Sequence, residues 1–222
     1  SANTTSGFSI STYTGTGSNA TIGHGLGVVP HWVIHKMTEN SPTDDFGWYN
    51  HHVKLTTPAN YHLVLDTDSA ESTSSTLFND TGPTSSVTSV GTSVGTNESS
   101  IDYVMYCFTS IQGFSKFGSY VGNGNADGTF IYTGFRPAFI LTKNTAIAGN
   151  WFIADDKRPG YNSPNYTLLV DENYAEVTSG GNNLDILSNG FKARTSSGYT
   201  NGSGNTIVYM AFAEAPFVNS NG

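Results

Sequence analysis

The strongest hydrophobic pattern falls in two segments placed alike in the two halves of the chain, Trp32-Val33-Ile34 running to Lys36 and Phe139-Ile140-Leu141 running to Lys143. Both are rich in β-branched and aromatic residues and neither follows a helix cap, so both predict strands. Tyr103 to Phe108 and Ile207 to Phe212 are apolar at both alternating sets of positions. Such strands are expected to be buried on both faces. Turn clusters, Gly15-Thr16-Gly17-Ser18-Asn19 and Gly122-Asn123-Gly124-Asn125, separate the strands, with glycine supplying positive φ at no steric cost. Short strands with turn signals about every 8 to 12 residues predict a β-sandwich.

The same signals come twice. Gly7-Phe8-Ser9 returns as Gly113-Phe114-Ser115, and Tyr13, Gly15, Gly17, Pro30 and Lys36 return as Tyr120, Gly122, Gly124, Pro137 and Lys143. Trp48 then matches Trp151, Tyr61, Leu63, Leu65 and Asp66 match Tyr166, Leu168, Val170 and Asp171, and Phe108 matches Phe212. A run of matches in one order at a nearly constant offset reads as a tandem duplication. The expected fold is all-β, with two tandem homologous β-sandwich modules of jelly-roll or lectin-like type, over residues 1–112 and 113–222. The Ser/Thr-rich stretch from Thr67 to Ser100 is linker-like in composition, but Val87, Val90 and Val94 punctuate it, so edge strands and long loops of the first module are expected there. Cys107 aligns with Ala211, which points to a small buried side chain and not to a reactive thiol.

Composition narrows the function classes. Ser 26, Thr 28, Asn 21 and Gly 25 make up almost half of the 222 residues, which excludes a helical protein. Only 12% of residues are charged, against about 25% in ordinary domains. A surface solvated by hydroxyls and amides suits extracellular, glycan-facing and viral β proteins. The formal charge of −8 makes nucleic acid an unsuitable partner. That charge is uneven: residues 1–112 carry −7 and residues 113–222 carry −1. One cysteine allows no intrachain disulfide, the longest apolar run is too short to cross a bilayer, and Ser1 to Thr5 lack the character of a signal peptide.

Several motifs together resemble a known family. Thr12-Tyr13-Thr14-Gly15-Thr16-Gly17, Ile22-Gly23-His24-Gly25-Leu26-Gly27, Pro30 and the strand ending at Lys36 are similar to a module of tailed-bacteriophage tail and fibre proteins. Gly113 to Tyr120, Asp127 to Pro137 and the closing Tyr209 to Phe217 resemble the segments that follow it in marine and cyanophage-type proteins. The sequence departs from the pattern at Thr16 and from Asp44 to Asn60. The resemblance implies a virion location and adhesion to a host surface.

Sugar recognition combines an aromatic face for the C–H side of a pyranose with polar groups for its hydroxyls. Two segments offer that combination, giving Trp48, Tyr49 and His51 in the first module and Trp151, Asp155, Asp156, Lys157, Arg158 and Tyr161 in the second as candidate ligand-binding residues. A tryptophan recurring in both halves also suits a core position, and Asp155 to Arg158 suit a solvated loop before Pro159-Gly160. All six histidines fall within the first 62 residues. No His-x-His pair shares a strand face, and His51 and His52 should point oppositely, so no metal site is expected. Asn123 to Gly128 imitates half a calcium loop, but Gly134 stands where the bidentate glutamate belongs. Gly91-Thr92-Ser93-Val94-Gly95 matches a nucleophile elbow without an expected following helix.

The sequence thus reads as a virion appendage module that attaches to a bacterial surface, by binding glycan without chemistry or cofactor. Its expected partners are a surface glycan or receptor and other virion proteins, with no membrane insertion and with a homo-oligomer, a trimer, as one arrangement open to it. Two alternatives stand beside this: a purely structural fibre or capsid-decoration module, and a polysaccharide depolymerase.

Overall fold

The computed structural model describes residues 1–39, 47–158, 162, 166–178 and 183–215. The chain divides into two compact units, Ser1–Asp66 with Glu71–Thr109, and Thr67–Ala70 with Ser110–Gly222. The stretch read from sequence as belonging wholly to the first module therefore lends residues 67–70 to the second unit.

In the first unit the strands are β1 (Ala2–Asn3), β2 (Phe8–Thr14), β3 (Ala20–Gly23), β4 (Trp32–Met37), β5 (Trp48–His52), β6 (Tyr61–Val64), β7 (Ser72–Thr73), β8 (Val87–Val90) and β9 (Asp102–Phe108), with a one-turn helix α1 (Val94–Asn97). They form a seven-stranded sheet of order β1-β2-β9-β4-β5-β6-β7 and a two-stranded sheet β3-β8, all antiparallel. Tyr103, Met105 and Cys107 are fully buried, whereas Val104, Tyr106 and Phe108 are only half-buried. This corrects the expectation of burial on both faces: the outer face of β9 carries a row in which Phe8 and Trp48 each lie nearly parallel to Tyr106. Large rings there cover one another without being sealed from water.

In the second unit β10 (Ser115–Val121), β17 (Thr206–Ala213), β12 (Pro137–Asn144), β13 (Phe152–Asp155) and β14 (Leu168–Leu169) make one sheet in that order. A smaller sheet orders β11 (Phe130–Tyr132), β16 (Gly190–Ala193) and β15 (Leu184–Leu187), and a second one-turn helix, α2 (Gly198–Asn201), precedes β17. Tyr120, Ile140, Ala154, Ile207 and Tyr209 from the larger sheet meet Ile131, Leu184, Ile186 and Phe191 from the smaller one in a single apolar core. This is the sandwich: two sheets, each with one face that must leave water, packed on one another. Here the last strand, β17, is buried on both faces from Ile207 to Ala211, as its pattern predicts.

Both large sheets place their strands alike. In each, β2 or β10 pairs with the closing strand, β9 or β17, which pairs with β4 or β12, and that strand pairs in turn with β5 or β13. The turns correspond as well. The Asn97 side chain accepts from the Thr16 amide and donates to the Gly91 and Ser18 carbonyls. Asn201 accepts from the Asn123 amide and donates to the Thr195 and Asn125 carbonyls. Backbone presses against each turn, since a Cβ on Gly15 would lie 2.1 Å from the Glu98 carbonyl oxygen and one on Gly122 2.3 Å from that of Gly202. Only glycine admits that approach.

Candidate functional site

The sequence candidates scatter. Trp151 is 0% exposed and its amide donates to Asp171, so no ligand can stack on it as it stands. His51 is buried on the inner face of β5, edge-on to Phe78. Tyr49 is half-buried, its ring against the backbone of Gly95 where a Cβ would not fit. Trp48 is half-buried on the outer face with the Lys36 ammonium 5.7 Å from its ring centre. The three candidates on β5 do not share one face, because alternation along the strand sends Trp48 and His51 to opposite faces.

The charged tail satisfies itself. Asp155 accepts from the Lys157 and Arg158 amides and from Arg158 Nε, and Arg158 also binds Glu176. Asp156 takes Arg136 at 2.8 Å and Lys157 at 3.2 Å. Burial alone would raise the Asp156 carboxyl, but Arg136 and Lys157 hold it below its ordinary value. Groups already paired to this degree have little left for sugar hydroxyls. Tyr161 lies outside the described residues.

The histidines are interior groups. Five of the six are buried. His24 is bonded to the Thr84 carbonyl and the Leu26 amide, His52 accepts from the Lys54 amide, and His62 meets Ser72. The cavity beside His35 and His51 measures only about 10 Å³, too small for a ligand. Among the described residues no three His, Cys, Asp or Glu side chains gather as a metal site would require. The nucleophile-elbow match is followed by a helical turn after all, α1, but Ser93 Oγ accepts from the Gly95 amide as its cap, and Ser197 caps α2 in the same way. In the calcium-like loop, Asp127 is bound by Lys192 and Arg194, and Asn201 fills the turn.

One arrangement that exposes an aromatic beside polar groups lies outside the candidates drawn from the sequence. On the short edge strand β11, Tyr132 is 60% exposed and Phe130 45% exposed. They point the same way because strand side chains alternate, while Ile131 between them enters the core. Next to Tyr132 opens a groove of about 330 Å³ lined by Ser110, Gln112, Ser115, Lys116 and Thr133 among others. Lys116 Nζ donates to the Tyr132 carbonyl at 2.8 Å and lies 5.3 Å from the centre of its ring. Gly134, at φ +87°, turns the chain from β11 toward β12 and borders a second depression of about 220 Å³, where Arg136 is paired with Glu214. The alternating pattern Phe130-Ile131-Tyr132 was the available signal; its meaning depended on β11 being an edge strand, which sequence does not show.

Among the described residues no helix is long and apolar enough to cross a membrane. No curated protein and no solved structure matches the chain. A family model does match it over residues 1–216, nearly the whole sequence, and the chain belongs to that family, described as Domain of unknown function (DUF7483).

Proposed function

We propose that this chain is an attachment module of a virion appendage that binds glycan on a bacterial surface. The observation that carries the reading is the exposed Tyr132 ring beside a groove lined by the serines, threonine and glutamine named above. An aromatic ring suits the C–H face of a pyranose, and hydroxyl and amide groups suit its hydroxyls. The resemblance of its motifs to phage tail and fibre modules supports a virion location. The tandem duplication read from the sequence is part of the same proposal, supported by the shared strand order and the matched contacts of Asn97 and Asn201.

The test is adsorption. Purified protein at saturating concentration should compete with phage for host cells, and Tyr132→Ala should weaken the competition about tenfold, about 1.4 kcal/mol. Failure of the wild-type protein to compete would remove the reading. Release of reducing ends from host polysaccharide would replace it with a cleaving enzyme.

A further inference from the structure

We infer that the groove beside Tyr132 selects an acidic sugar, one bearing a carboxylate or sulfate, through the ammonium of Lys116; this rests on the glycan-binding reading and names its ligand class. The second unit contains seven basic side chains. Arg136, Lys157, Arg158, Lys192 and Arg194 are each bound to at least one carboxylate. Lys143 is fully buried and gives its protons to the carbonyls of Asp68, Ile147 and Gly149. Lys116 alone has a backbone carbonyl and an aromatic ring as its partners, and among the described residues no carboxylate pairs with it.

Its surroundings sharpen the contrast. Among the described residues, those lining the groove include no acid, in a chain that carries 17 acids and a formal charge of −8. The Lys116 head is held in place at the groove by the Tyr132 carbonyl, and one carbonyl occupies one of its three protons. An ammonium already oriented and not neutralised gives an anionic group a charge-assisted hydrogen bond without first breaking an ion pair. The adjacent Tyr132 ring can then take the apolar face of the same residue. Because the protein as a whole repels polyanions, a preference for acidic polysaccharide requires a local cation.

The experiment is calorimetric titration of the full chain with dextran as neutral probe, alginate as carboxylated probe and dextran sulfate as sulfated probe. The expected result is that at least one acidic probe binds about tenfold or more tighter than dextran, and the alginate and dextran sulfate arms say which anion is preferred. Lys116→Gln should bring acidic and neutral binding to within about twofold, Lys116→Arg should keep the preference, and rising salt should weaken acidic binding. A preference that survives in Lys116→Gln, or no binding of either acidic probe, overturns the inference. If the protein then still competes for host cells, the attachment reading stands without it; if it does not compete, both fall.

Discussion

The Tyr13 hydroxyl lies 3.0 Å from Nδ1 of His35 and gives its own proton to the Thr96 carbonyl at 2.5 Å. Nδ1 must therefore be the protonated nitrogen, which leaves the Nε2 lone pair facing the interior without a hydrogen-bond partner. Burial pushes His35 down to about 3, with nearby His51 adding to the effect, and pushes His51 down to about 4. His52 is lowered to about 3 by burial first and by neighbouring positive charge second.

These histidines are neutral in the fold and ordinary when unfolded, so the unfolded chain binds more protons at acid pH. Their contribution is fully present above the unfolded value of about 6.5 and is lost as pH falls toward about 3 to 4. Each should remove about 2 kcal/mol of stability by about pH 5. Denaturant unfolding of the wild type at neutral pH and at about pH 5 should show the loss, and His51→Phe should flatten it. A profile unchanged by that substitution would place the sensitivity elsewhere.

Asn97 and Asn201 each satisfy several backbone groups from one amide, so truncation strands buried carbonyls as well as deleting bonds. Asn201→Ala should cost about 2–4 kcal/mol, and Asn97→Ala a similar amount. Both variants should shift the denaturant midpoint by comparable amounts; an effect below about 0.5 kcal/mol would mean that water replaces the amide.

The matched tryptophans should respond differently. Trp151→Ala opens a cavity in a packed interior and should cost about 3–5 kcal/mol, whereas half-buried Trp48→Ala should cost clearly less. Equal losses by thermal unfolding would contradict the burial difference.

Cys107 is fully buried with its thiol pushed up to about 12 by burial. A thiol reagent should leave the native protein unmodified and label the unfolded chain to one equivalent. Rapid labelling under native conditions would show that β9 opens.

Strand positions were legible because period and composition are local properties. The paired segments ending at Lys36 and Lys143, the closing strands and the glycine turns all lie where the pattern puts them. Legibility ended where a side chain's fate depends on which strands flank it. Lys36 and Lys143 match in sequence, yet one lies near the Trp48 ring and the other is enclosed by carbonyls. Trp48 and Trp151 match too, and only Trp151 is sealed. The same limit hid Tyr132. An aromatic on a three-residue strand suits a core equally well until pairing shows that the strand ends a sheet and turns that ring to solvent.

The grouping of Thr67–Ala70 with the second unit means that no single cut separates the chain into two complete pieces. A fragment beginning at Ser110 would keep every strand of the second unit and lose the Asp68 carbonyl, which accepts from both the Lys143 ammonium and the Gly149 amide. The buried Lys143 ammonium would then lack one of its three acceptors. Dissection of the protein should therefore graft residues 67–70 onto the later piece, or replace Lys143, before the fragment is judged unable to fold alone.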